Sequence, residues 1–243
     1  MKFDINNNPA LMQEAGNTPK AQFIKLVYLN TPTPSTRTDL QVQSANGFVV
    51  KTIQNGVQTV EQYPNTDLVE LILNYDPGTP IVLIGDFVKF DSYYFTARDL
   101  VLFRTANCES LTYFYLNYYD EKVFDFSVFP NMQTLGMVGW YELTDLYIPQ
   151  ESFGVLDIFG VPKLEKIEIK SQSVKVKVFT GTTSLREIKL RATNSDNYNS
   201  IVELLDSTSI TTGVLILQTG DSQNTQAAQA ATAKGWTVEY VDA

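Results

Sequence analysis

The chain has 243 residues, 44% of them apolar, with 14 Phe and 13 Tyr, which is enough apolar side chain to fill a large core. A formal charge of -9 argues against a nucleic-acid partner, because phosphate binding depends on lysine and arginine neutralising the backbone. With no histidine and one cysteine, Cys108, the usual triads, HExxH sites, multi-cysteine metal cages and intrachain disulfides are excluded.

The start, Met1 to Pro9, carries an early acid and no long apolar stretch, so a secretory signal peptide is not expected. No run approaches the roughly 18 apolar residues that a transmembrane helix needs, so no membrane insertion is expected either. Residues 1–50 are rich in Asn, Gln, Thr and Pro. Within them, Gln22 to Leu29 is dense in β-branched and aromatic residues and predicts a strand. Asn30 to Thr38 holds two prolines and predicts an extended connector. Gly47–Val50 and Val57–Val60 predict short strands around Asn55-Gly56, a strong hairpin dipeptide. Residues 1–60 thus read as an N-terminal β-rich arm or small subdomain with an anchoring role.

Leu68-Val-Glu-Leu71-Ile-Leu73 is the first segment of the form Leu-x-x-Leu-x-Leu, and residues 61–243 read as a solenoid. Strand candidates follow at Ile81–Ile84, Phe87–Phe90 and Leu100–Phe103. Leu111-x-x-Phe114-x-Leu116 then returns 21 residues later as Met132-x-x-Leu135-x-Met137. The same form recurs at Leu143–Ile148, Leu164–Ile169 and Leu185–Leu190, again in steps of 21. A period this short indicates a stacked solenoid. Apolar half-steps at Val123–Phe126 and Val174–Val178 leave room for two strands and two tight bends per turn, but hardly for a helix. The expectation is β-structure on one face, with short strands or 3₁₀ turns on the other. Alternation in Val174–Val178 predicts valines inward and lysines in water. Ala192 to Ser200 predicts a surface loop, Ile201–Leu205 a helical turn, and Gly213–Leu217 a strand. Ser222 to Lys234 predicts a helix ended by Gly235, leading into a strand from Trp236 to Val241. Residues 222–243 would form a C-terminal helix–strand cap.

The five regular copies resemble the leucine-rich repeat family, and Cys108-Glu-Ser-Leu111 resembles its Asn/Cys position. The short, β-rich repeat is most similar to the BspA-type or Treponema-type class of Bacteroidales. Ala227 to Val238 is similar to the C-terminal cap of such proteins. The resemblance covers about residues 100–243 and leaves residues 1–60 aside. It implies protein or surface-glycan contact rather than catalysis. Since the family's usual export signal is not found at the start, the chain resembles the versions carried by phages of these bacteria. Two functions follow as expectations. The first is a non-enzymatic structural or decorating protein of a bacteriophage virion, contacting other virion proteins through its arm and repeat surface. The alternative is an adhesion protein that binds a surface protein or glycan, located in the cytoplasm or at the cell surface by a non-classical route. Homo-oligomerisation is left open.

Reading the x positions of the repeat as outward gives Tyr113 and Tyr115, then Thr134 and Gly136, Asp145 and Tyr147, Lys166 and Glu168, Glu187 and Lys189. Tyrosines suit protein or sugar contact, offering a rigid apolar area with a polar tip, so Tyr113, Tyr115 and Tyr147 are binding candidates. Strand propensity alone also explains them. Trp140 and Tyr141 follow Gly139 in a bend, where each is either folded under or exposed for a partner, and both join the candidates. The Lys/Glu rows read as a solvated, cross-paired surface. Cys108 reads as a small buried hydrophobe. Asp86 and Asp91, with Tyr93-Tyr94 nearby, are two carboxylates that could do acid/base work on a glycan, but the segment lacks a pocket-like composition and acids are common at β-turns. No cofactor is expected: Thr219–Ser222 lacks the spacing and lysine of a phosphate loop. Asp196 and Asp206 lack an EF-hand pattern, so no metal is expected.

Overall fold

A computed structural model describes residues 22–28, 39–64, 66–92, 100–106, 108–119, 121–150, 153–170, 175–190, 205, 210–218 and 224–241. The described residues are mainly β, with one α-helix, and include a β-solenoid of about 5 turns of about 21 residues. The connector at 30–38, Tyr93-Tyr94, the loop at 192–200, Asp196, Asp206 and Thr219–Ser222 lie outside the described residues.

The first six strands are β1 (Phe23–Tyr28), β2 (Asp39–Gln54), β3 (Val57–Tyr63), β4 (Val69–Ile72), β5 (Pro80–Asp91) and β6 (Leu100–Ala106). All their mutual pairings are antiparallel. The β2–β3 hairpin turns at Asn55 (φ 52) and Gly56 (φ 73), the left-handed pair that a two-residue turn requires. Asp76 ties this turn down by accepting from both backbone N–H groups, at 2.8 Å each. Alternation sets the core face: Ile24, Leu26, Leu40, Val42, Ile81 and Leu83 have no exposure. Leu68–Leu73, grouped with the solenoid in the sequence, enters as β4, an antiparallel partner of β2. Its Leu-x-x-Leu-x-Leu form mimics a repeat copy, because alternation of two supplies the same buried Leu71 and Leu73.

The parallel repeat begins with β7 (Tyr113–Asn117) and continues with β8 (Thr134–Val138), β10 (Val155–Phe159) and β12 (Lys175–Thr180). These strands extend the antiparallel block through β5, giving one ten-stranded sheet. The second sheet holds β9 (Asp145–Ile148), β11 (Lys166–Ile169), β13 (Glu187–Leu190), β14 (Val214–Gln218) and β15 (Thr237–Val241), all parallel. The five apolar copies therefore fall into two series. Those at Leu111 and Met132 lead into the first sheet, and those at Leu143, Leu164 and Leu185 into the second. From β8 to β13 the strands alternate between the two sheets, so those coils have a strand on each side, while the coil after β7 has a 3₁₀ turn at Phe126–Val128 in place of the second strand.

Between the sheets, residues 21 apart stack into columns. Leu111, Met132 and Phe153 form one corner, and Leu143, Leu164 and Leu185 another, all at most 1% exposed. Each fully buried side chain of this size contributes about 1.5–3 kcal/mol, so the columns hold the coils together more than any surface pairing does. A third corner needs a left-handed backbone at Tyr118 (φ 54), Gly139 (φ 67), Gly160 (φ 67) and Gly181 (φ 74). Glycine accepts that conformation freely, and the stacking is tight: a Cβ on Gly181 would lie 2.9 Å from the Gly160 Cα. Corner carbonyls lock the coils in register, as Thr112 O accepts from both Gln133 and Thr134, and Thr144 O from Glu165 and Lys166. Inside, the buried Gln150 donates from Nε2 to the carbonyls of Phe126 (2.6 Å) and Phe129 (2.8 Å), pinning the 3₁₀ turn.

At the far end, helix α1 (Asn224–Ala233) buries Ala227 and Ala231. Gly235 (φ 89) follows it, and the buried Trp236 donates its indole N–H to Ile210 O at 3.1 Å. Tyr240 is exposed on β15, the outermost strand of its sheet. Cys108 is buried, and burial pushes its thiol up to about 12, so it behaves as a small apolar residue.

Candidate functional site

The outward face of the ten-stranded sheet brings charged and aromatic groups together where β5 meets the first repeat strands. Register sets the arrangement. Lys89, Tyr113, Thr134 and Val155 form one cross-strand row, and Asp91, Tyr115, Gly136 and Asp157 the next. The Lys89 ammonium lies 3.3 Å from Asp91 Oδ2, donates to Gln41 Oε1 at 3.3 Å, and sits 4.6 Å from the centre of the Tyr113 ring. That cation over the ring face and the carboxylate beside it hold Tyr113 in place. Burial pushes the Tyr113 phenol up to about 12, helped by the negative charges of Asp91 and Asp157 and by its hydrogen bond to Asp91.

The shift carries a sign for stability. An unfolded tyrosine ionises near pH 10, while folded Tyr113 keeps its proton to about 12. The stabilisation is complete below pH ~10 and is lost as the pH rises through about 12. Urea unfolding at stepped alkaline pH should show a shallower decline for Tyr113→Phe than for the parent chain. An identical decline would show that Tyr113 keeps no proton advantage.

Tyr115 corrects the outward reading. It does occupy an outward position of β7, yet it is only 5% exposed. The cause lies on the next strand: a Cβ on Gly136 would fall 1.8 Å from Tyr115 Cδ2 and 2.0 Å from Cε2. The ring lies flat across the glycine backbone, filling the slot that a missing side chain leaves. Gly136→Ala should displace the ring and cost about 1–3 kcal/mol in a urea titration, as overpacking does. A change near zero would show that the ring is not seated there.

The remaining candidates lie elsewhere. Trp140 is folded under: it has no exposure and donates its indole N–H to Leu116 O at 2.7 Å. It packs against Tyr119, Phe124 and Phe126. Tyr141, next to it, is 44% exposed at the turn. Tyr147 is 41% exposed on the second sheet, with the Lys170 ammonium 5.6 Å from its ring centre. Of the five candidates, then, Tyr113 and Tyr115 are the two that share a surface. Their neighbours Lys89 and Asp157 carry no mark in the sequence, and strand pairing alone brings them together.

The outward rows of the second sheet are a charge ladder. Lys166 pairs with Glu187 at 3.5 Å and Lys189 with Glu168 at 2.9 Å, while Arg186 pairs with Glu165 and Lys163 with Glu142. Exposed pairs of this kind are screened by water and contribute little, so the ladder keeps the face wet and in register rather than holding the fold.

Asp86 and Asp91 are each engaged by neighbours. Asp86 accepts from Gln22 Nε2 at 2.9 Å and Asn46 Nδ2 at 3.4 Å, and Asp91 pairs with Lys89. Among the described residues no group of three or more Cys, Asp or Glu is placed to hold a metal ion. No helix among them is long and apolar enough to cross a membrane.

No family model matches the chain, and neither a curated protein nor a solved structure matches it. Nothing in these comparisons identifies a leucine-rich repeat family. The surface chemistry is therefore the basis for a functional reading.

Proposed function

We propose that the chain is a non-enzymatic structural or decorating protein of a bacteriophage virion, contacting neighbouring proteins through its N-terminal region and repeat surface. The repeat is a short leucine-rich type of the BspA class, and α1 with β15 caps its last layer. The observation that supports this reading is the shared sheet: β1–β6 and the repeat strands β7, β8, β10 and β12 are joined by backbone hydrogen bonds across β5 and β7. A contact made by the N-terminal strands is then held rigidly relative to the repeat surface, as a particle component requires. Purified particles from the host strain that carries the gene, analysed intact by mass spectrometry, should contain the chain at a fixed copy number. Its absence from those particles would overturn the reading.

A second reading is favoured by the Tyr113 cluster. A half-buried tyrosine flanked by Asp91, Asp157 and Lys89 combines a ring face with charged hydrogen-bonding groups, a chemistry that suits a sugar or a polar protein loop. In that case the chain is an adhesion protein. The full-length protein should bind a component of a glycan array, and Tyr113→Ala should abolish the binding. Particle association unaffected by Tyr113→Ala would favour the first reading.

A further inference from the structure

The β2–β3 hairpin leaves a long strand edge open. Among the described residues β3 pairs with β2 alone, and the ladder between them runs from Val57 to Tyr63 without a bulge. Five of the seven side chains of β3 are exposed, Val57 at 64% and Val60 at 50%, so most of the strand stands clear of the core. Asp76 fixes the turn, which presents the edge ready-made. Such an edge is ordinarily blunted by Pro, Lys, a bulge or a very short strand, and β3 has none of these.

The two-residue turn decides which backbone groups are free. Gln54 and Val57 close it by exchanging both of their hydrogen bonds, and the exchange recurs at Thr52–Thr59, Val50–Glu61 and Phe48–Tyr63. Gln58, Val60 and Gln62 therefore point their N–H and C=O groups away from β2. None of those groups has a partner among the described residues. Val60 is the midpoint both of that free set and of the strand. An antiparallel copy of β3, related by a two-fold axis at Val60, sets Gln58 opposite Gln62 and Val60 opposite itself. Every free group on one edge then meets a complementary group on the other.

Side chains agree with that register. On one face the two copies of Val60 pack together, and the Gln58 and Gln62 amides lie opposite each other. On the other face Val57 meets Tyr63, and Thr59 meets Glu61. The one acid of β3 is thus kept off its own copy. Tyr63, farther from the axis, draws it aside by donating its hydroxyl to Glu61 at 2.6 Å. Neighbouring registers are worse: one sets Glu61 against itself, and the other runs Gln62 into the turn at Gly56. An unrelated extended peptide finds the same free groups without this matched set of side chains. We propose that β3 pairs with β3 of a second copy of the chain, antiparallel about a two-fold axis at Val60, joining the two ten-stranded sheets edge to edge.

The proposal goes beyond the functional readings above, and its test needs neither a particle nor a glycan. A single strand edge is a small interface, so the dimer should be reversible. Sedimentation velocity of the full-length chain, diluted in steps from about 100 µM, should show dimer giving way to monomer. Val60→Pro removes a free N–H and leaves the β2 ladder whole, because Val60 exchanges no hydrogen bond with β2. Each copy loses a bond, so association should weaken at least about tenfold, with the fold intact by circular dichroism. Should that variant not fold, Val60→Lys, which sets two cations face to face at the axis, should show the same loss. Oxidative cross-linking reads the register, since opposed Cα atoms about 5.5 Å apart are within disulfide reach. Val60→Cys should link two copies and Gln58→Cys should not, while Gln58→Cys/Gln62→Cys should link them again. The native thiol, Cys108, is buried. A chain that stays monomeric throughout, or a dimer unaffected by both Val60→Pro and Val60→Lys, would overturn the proposal. So would cross-linking of Gln58→Cys as ready as that of Val60→Cys, or growth into larger species, since an isologous contact closes at two copies.

Discussion

Trp140→Ala is expected to lower the stability of the chain by about 3–5 kcal/mol, the cost of emptying a large buried aromatic site. Trp140 is the largest fully buried side chain among the described residues. It fills the corner column between Tyr119 and Val161, each 21 residues away and no more than 2% exposed. Its ring meets Tyr119 edge-on at 5.3 Å and Phe124 at 5.5 Å, and its N–H reaches across a coil to Leu116 O. Stacked coils cannot collapse into the space, because backbone ladders on both sides fix their spacing. Since domains have only about 5–15 kcal/mol in total, much of the population should unfold at mild urea concentrations. Trp140→Phe should recover most of the packing but not the hydrogen bond, leaving a deficit of about 1–2 kcal/mol. A loss below about 1 kcal/mol for the Ala variant would refute the column as the main support of the coils.

Phe114→Ala should cost a similar amount, about 3–5 kcal/mol, and should also separate the antiparallel block from the repeat. Phe114 lies on β7, the parallel partner of β5, which is the strand at which antiparallel pairing gives way to parallel. Its link to β5 rests on the pairs Lys89–Tyr113, Phe90–Phe114 and Asp91–Tyr115. So short a ladder needs side-chain support. Phe114 supplies it by stacking on Phe90 at 5.9 Å on one side and meeting Phe129 at 4.9 Å and Phe124 at 6.0 Å on the other. With that ring removed, hydrogen exchange should show β1–β6 and the solenoid opening at different urea concentrations, where the parent chain opens them together. Phe114→Leu should keep the two coupled. A single coincident transition in the Ala variant would place the coupling elsewhere.

The physical basis of the two-sheet core is legible in particular residues. Leu111, Met132 and Phe153 declare the 21-residue turn because a stacked column needs an apolar residue at each pass. Asn55-Gly56 declares its hairpin because few other residues accept two left-handed positions in succession. Gly139, Gly160 and Gly181 carry the same information at the same period, a signal for the left-handed corner that the apolar pattern alone does not reveal. Period and turn chemistry are local properties, so they show in the order of residues.

Which strand lies beside which is not local. A half-period of 10–11 residues cannot assign the copies that begin at Met132 and Leu143 to separate sheets, since both sheets bury the same apolar form. The two copies look alike until the coil is closed. Outward alternation places Tyr113 and Tyr115 alike, yet one is half-buried over Lys89 and the other sealed against Gly136, because each side chain's surroundings belong to neighbouring strands. The meeting of Tyr113 with Asp91 depends on hydrogen-bonded register between segments more than 20 residues apart. The order of residues sets the period, the turns and the amount of apolar surface to be hidden. Strand pairing then chooses which polar groups meet, and with them any binding surface the protein has.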